Sequence, residues 1–242
     1  MASQALSNFR DFGDLPTRAG ARVVAGRMFR SANPGAGANP RLAERGIRAV
    51  VDLRGLSERA LAPATHDEGV AVVPMPIEPG TASPLSRMLA EGTATHAAGR
   101  ELMVSTYRAF VRVHAEPFGA AIETILASAV SHPVLVHCTA GKDRTGFLVA
   151  LLQRALGVDD DLVLDDYLAT NGSWDRASAQ ALVPTLGDAA EAVLIADADY
   201  LHAAFDEILA IDGDVTAFLA RATRGRVTPD SLARLLEKDP LS

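Results

Sequence analysis

Pro133-Val134-Leu135-Val136-His137-Cys138-Thr139-Ala140-Gly141-Lys142-Asp143-Arg144-Thr145-Gly146 runs on into Phe147-Leu148-Val149-Ala150-Leu151-Leu152-Gln153-Arg154-Ala155-Leu156 and stops at Gly157. The apolar run after Pro133 has the length and composition of a buried strand. The run from Phe147, ended by a glycine, has those of a buried helix. The only cysteine of the chain therefore falls at a strand-to-helix turn. Five residues separate it from an arginine at the helix start.

Each residue type in this turn suits phosphate chemistry. A helix N-terminus presents unpaired N–H groups and the positive end of the dipole, so it binds an anion. The same field favours the anionic form of a cysteine, and a thiolate can attack phosphorus to form a covalent intermediate. The planar fork of Arg144 suits two phosphate oxygens at once. Gly141 is expected to let the backbone turn inward, Thr145 to offer its hydroxyl to the sulfur, and His137 to orient the turn from behind. A lone cysteine is ordinarily a small buried hydrophobe. Gly141, Lys142, Asp143 and Arg144 within the next six positions argue against that for Cys138. A nucleotide-binding loop is set aside, because it would need glycine at Val136 and a hydroxyl at Asp143.

His137-Cys138 followed by Arg144-Thr145 resembles the signature of cysteine-dependent protein tyrosine phosphatases. The whole stretch from His137 to Gly146 is similar to a bacterial subfamily with Gly-Lys-Asp-Arg-Thr in the loop, which includes tyrosine/serine and phosphoinositide phosphatases. Asn8-Phe9-Arg10-Asp11 and Phe29-Arg30-Ser31 resemble that subfamily's N-terminal pattern, and the resemblance spans residues 8 to 237. It implies an α/β fold with a central, mostly parallel sheet flanked by helices and a helical C-terminal part. A single phosphatase domain over 1–242 follows, with 8–157 as the sheet-containing core and 158–237 as a helical extension. Neither cofactor nor metal is implied. The substrate would be a phosphorylated protein or a phosphoinositide, bound by Thr139, Ala140, Gly141, Lys142 and Thr145. The resemblance links Lys142 to phosphoinositide-active members; otherwise Lys142 would be a solvent-facing loop charge. A rhodanese-type sulfurtransferase, which lacks this Lys–Asp–Arg–Thr set, and a non-catalytic phosphate-binding module are the rival readings.

A chain of 242 residues with 48% hydrophobic and 22% charged residues is long enough to bury a sizeable core. A net charge of −7 argues against a general nucleic-acid binder. One cysteine leaves no disulfide framework. No run approaches transmembrane length, and residues 1–7 lack a basic start and an apolar core. The expected location is cytoplasmic, or exported without a cleaved signal, with no integral membrane contact.

Along the chain, Arg22–Ser31 reads as two short strands turning at Ala25-Gly26. Pro40–Arg45 reads as a short helix, and Ile47–Arg54 as a buried strand ending in charge. Ligands in open α/β sheets bind beyond the carboxyl ends of strands, so Asp52 and Arg54 are candidates for the crevice that holds Cys138, Arg54 as a substrate-binding residue. Glu58 is read as a partner of Arg54 or as a solvated charge. Arg30 is either an ion-pair residue or a pocket residue. Val70–Pro76 is a further strand. Helices are expected at 83–92, 98–114, from Pro117 to Val130, after an Asp159-Asp160-Asp161 cap, and at Tyr200–Ile211, Val215–Arg224 and Pro229–Glu237. Residues 171–198 are the candidate for a flap over the pocket.

A phosphocysteine mechanism needs a general acid. No Trp-Pro-Asp loop is present, and Trp174 reads as a packing residue. The subfamily resemblance points to Asp143, strand-end position points to Asp52, and the habit of dual-specificity relatives points to Glu78. Cys138, Arg144, Asp143 and Asp52 are thus the catalytic candidates, with His137 and Glu78 supporting.

Overall fold

The computed structural model describes residues 6–35, 40–63, 69–173 and 183–238. Five strands form the main sheet: β1 (Arg10–Asp11), β3 (Met28–Ser31), β6 (Val134–His137), β4 (Ala49–Asp52) and β5 (Ala71–Pro74), in that spatial order. β1 runs antiparallel to β3, and the other pairs are parallel. β2 (Ala21–Val23) leaves this sheet and pairs with β7 (Leu236–Lys238) near the far end of the chain. Residues 236–237, expected in a helix, are therefore strand. Their extended state is imposed by a partner more than two hundred residues away, which local periodicity does not register.

Alternation along the strands divides the core in two. Val51, Val136 and Met28 face one apolar cluster, built with Phe110, Phe118, Phe147 and Phe218. Val50, Leu135 and Phe29 face a smaller one with Leu42 and Ile47. α4 (His96–Arg112), α5 (Ala115–Ala129) and α6 (Asp143–Ala155) cover the first face. Before them come α1 (Pro40–Glu44), α2 (Leu56–Leu61) and α3 (Ala82–Ala90). α7 (Asp160–Leu168) follows, its first turn capped by the Asp159 carboxylate, which accepts from Asp161 N at 3.1 Å. α8 (Ala198–Asp212), α9 (Val215–Ala222) and α10 (Pro229–Ala233) complete the C-terminal helices. α5 begins two residues ahead of Pro117, on the N-cap His114. Short helical turns at Val183–Leu186 and Ala190–Leu194 lie in the stretch read as a flap; its residues 174–182, Trp174 among them, fall outside the described residues.

Parallel register brings Ser31, His137 and Asp52 side by side at the carboxyl ends of β3, β6 and β4. The loop from Cys138 to Lys142 rises from that edge, and α6 starts at Asp143. The helix therefore begins four residues earlier than its apolar run, which puts Asp143 and Arg144 in its first turn.

Candidate active site

Gly141 is the pivot of the loop. Its φ of 66° is left-handed, and a Cβ there would lie 2.3 Å from the Ser31 carbonyl oxygen. Only glycine allows the loop to lie this close on the end of β3. The outward carbonyls that result are held from behind. Asn8 Nδ2 donates to Gly141 O at 2.9 Å and to Ala140 O at 3.2 Å. Arg30 Nη2 donates to Gly141 O at 2.9 Å. Arg30 is fully buried, and its Nη1 reaches Asp166 Oδ2 at 2.6 Å. The other Asp166 oxygen takes Arg10 Nε at 2.7 Å. Burial alone would push the Asp166 carboxyl up, but the two guanidinium groups hold it below the ordinary value. The N-terminal block thus clamps the back of the loop, and Arg30 is a structural ion-pair residue.

The front of the loop is set by Arg144 and Glu58. Both Nη atoms of Arg144 bind the Glu58 carboxylate in a fork, Nη2 to Oε1 at 2.7 Å. Nη1 also donates to Ile77 O at 3.0 Å and Leu53 O at 3.4 Å. Among the described residues nothing accepts from Nε. Glu58 Oε1 further accepts the Thr139 hydroxyl, and Oε2 accepts Gly55 N at 2.8 Å. Burial of Glu58 opposes ionisation, yet these donors outweigh it and bring the carboxyl down to about 2. Burial works against the Arg144 charge too, and Glu58 together with nearby Cys138 raises it above the ordinary value. Cys138 itself is buried.

Lys142 and Asp143 form a third layer. Lys142 is 3% exposed, so it is not a solvent-facing charge. Its Nζ donates to Asp143 Oδ1 at 2.6 Å and to Ile195 O at 3.0 Å, tying the loop to the C-terminal helices. Asp143 keeps 28% of its side chain exposed, and its Oδ1 also accepts from Tyr107 at 3.0 Å.

A profile of the tyrosine phosphatase family matches residues 1–238. The chain belongs to that family. It is 34% identical over 230 residues to a Cupriavidus necator protein named as a tyrosine-protein phosphatase, covering 92% of this chain and 83% of the relative. Identity to the triple specificity protein phosphatase PtpB of Mycobacterium tuberculosis is 33% over 199 residues, 72% of this chain and 70% of that one. Among solved structures, P. aeruginosa TpbA is 21% identical over 72% of this chain and 89% of its own, with a TM-score of 0.39.

The phosphatase loop does not use every residue that strand-end position suggested. Asp52 is fully buried, and its carboxylate accepts from Arg54 N, Nε and Nη2 at 2.8–3.0 Å. Burial pushes the Asp52 carboxyl up, but Arg54 and His137 hold it below its ordinary value. That is the wrong direction for a proton donor at neutral pH. Arg54, 1% exposed, is committed to Asp52 and to Ala62 O, so it presents no free fork to a substrate and does not pair with Glu58. Glu78 accepts Leu56 N at 2.8 Å and so caps α2, the helix that carries Glu58. His137 Nδ1 pairs with Cys138 O at 2.9 Å, and its Nε2 lies 3.7 Å from Asp52, behind the loop. The buried Thr145 hydroxyl has no hydrogen-bond partner among the described residues. Glu58 was missed as a loop residue, and its only sequence signal was a carboxylate one helical turn past a charged strand end.

Proposed function

We propose that this phosphatase works through a phosphocysteine at Cys138, with Arg144 binding the phosphoryl oxygens and Asp143 moving the proton. The observation that carries the reading is the Arg144 guanidinium, fixed by Glu58 on its Nη atoms, with no acceptor for Nε among the described residues. In the first step the Cys138 sulfur attacks phosphorus, the phosphorus–ester oxygen bond breaks, and the departing oxygen takes the Asp143 proton. Water then attacks phosphorus, the phosphorus–sulfur bond breaks, and Asp143 accepts a proton from the water. Loop N–H groups and the Nε edge of Arg144, whose Nη fork is taken by Glu58, hold the equatorial oxygens while charge spreads over them. Of the three carboxylates considered, Asp143 alone combines a place in the helix first turn with partial exposure and an oxygen without a partner among the described residues. Lys142, reaching Asp143 and Ile195 O, acts by holding that carboxylate.

Phosphotyrosine is the expected substrate, with phosphoserine/threonine or phosphoinositides beside it; the name of the M. tuberculosis relative supports a broad range. Cys138→Ser tests the mechanism. Turnover of p-nitrophenyl phosphate should vanish while inorganic phosphate still binds. Rapid quench of the wild type should show one phosphoryl group on Cys138. A serine variant at wild-type rates refutes the nucleophile. Wild-type enzyme that binds phosphate but never carries a phosphoryl group would make the chain a binding module.

A further inference from the structure

Among the described residues, Asp143 is approached on one oxygen only. Lys142 Nζ and the Tyr107 hydroxyl both reach Oδ1, at 2.6 and 3.0 Å, while no described group bonds Oδ2. Tyr107 stands on α4 and Tyr167 on α7, both fully buried, and their hydroxyl oxygens are 2.7 Å apart. Each phenol has one proton. Since Tyr107 gives its own to Asp143, Tyr167 must donate to Tyr107, and the direction of the relay is fixed as Tyr167 to Tyr107 to Oδ1. Gly146 makes room for this relay: a Cβ there would lie 2.9 Å from Tyr167 Cδ2.

We infer that Tyr107, backed by Tyr167, is a positioning residue that keeps Oδ1 of Asp143 an acceptor, so that Oδ2 carries the proton delivered to the leaving oxygen. Tyr107 acts this way only if Asp143 is the proton donor, as proposed above. Burial, with the Asp143 charge behind it, pushes the Tyr107 and Tyr167 hydroxyls well above their ordinary value near 10, so neither gives up its proton at working pH. Among the described residues, the other charged or titratable groups near Asp143 are Lys142, Arg144 and Tyr200, and the Tyr200 hydroxyl is committed to Ala192 O at 2.9 Å. A carboxyl whose two oxygens were free to exchange roles would spend part of its time with the proton turned away from substrate. The tyrosine pair, together with Lys142 on the same oxygen, removes that freedom.

Leaving-group dependence separates positioning from mere packing. Tyr107→Phe should lower kcat on phenyl phosphate, a poor leaving group, by about tenfold. On dinitrophenyl phosphate, which needs little protonation, kcat should change less than about twofold, and KM should hold for both. Tyr167→Phe, which leaves the Tyr107 donor in place, should cost about threefold on phenyl phosphate alone. Adding Tyr107→Phe to Asp143→Asn should cost nothing more on either substrate, because groups that act as a unit are not additive. Equal losses on both esters, no loss on either, or a multiplied loss in the double variant would overturn the role of Tyr107. Should Asp143→Asn by itself fail to discriminate the esters, the proton-donor assignment falls instead.

Discussion

Glu58→Gln is the perturbation whose size the structure sets most directly. The carboxylate accepts two donors from Arg144, the Thr139 hydroxyl and Gly55 N. Its pKa falls from an ordinary 4.5 to about 2, which corresponds to roughly 3 kcal/mol at about 1.4 kcal/mol per pH unit. With 27% of the side chain exposed, solvent screening reduces this to about 1–2 kcal/mol. A depressed carboxyl pKa stabilises the folded state fully above the unfolded value near 4.5, and that contribution disappears as pH falls through about 2. Urea unfolding at a series of pH values should therefore find the variant less stable by about 1–2 kcal/mol at neutral pH, with the gap shrinking below pH 4.5 and closing near pH 2. The amide keeps one acceptor but loses the charge, so Arg144 should be held less firmly, and kcat should fall about tenfold or more. A variant as stable as wild type at pH 7 and equally active would refute the claim that Glu58 fixes the guanidinium. A stability gap independent of pH would refute its electrostatic origin.

Gly141→Ala should lose activity and about 2–4 kcal/mol of stability, because its Cβ meets the Ser31 carbonyl in a left-handed backbone; thermal melts with p-nitrophenyl phosphate assays read both, and a fully active alanine variant would contradict the geometry. Asp166→Asn leaves the buried Arg30 without its counter-charge and should cost about 3 kcal/mol; a denaturation midpoint within error of wild type would show that the clamp does not depend on that charge.

What could be read from sequence was local. The strand, loop and helix around Cys138 carry their own signals, since Pro133, the apolar runs and Gly157 bound them. Arg144 reads as the helix start, though the apolar run that marks the helix opens only at Phe147, because Asp143 to Gly146 are chosen for the loop, not for an apolar stripe. Partners were harder. Glu58 lies four residues from Arg54 and eighty-six from Arg144, and proximity in sequence favoured the wrong arginine; Arg54 folds back on Asp52 instead. Asp52 was correctly set at the sheet edge, but strand-end position does not tell a carboxylate that faces solvent from one enclosed by a guanidinium. β7 was invisible for the same reason: its extension comes from β2 across the fold. Tyr107 sits in the core by burial, yet its hydroxyl reaches the loop, which helical periodicity does not show.

The anchors of the loop come from residues 8, 30, 58 and 195, so no short fragment of the chain contains its own cradle. Closing such distant contacts is slow, and the phosphate bowl can take shape only once both halves of the polypeptide have met. A nascent chain that has not yet reached Ile195 therefore lacks one of the supports of the bowl.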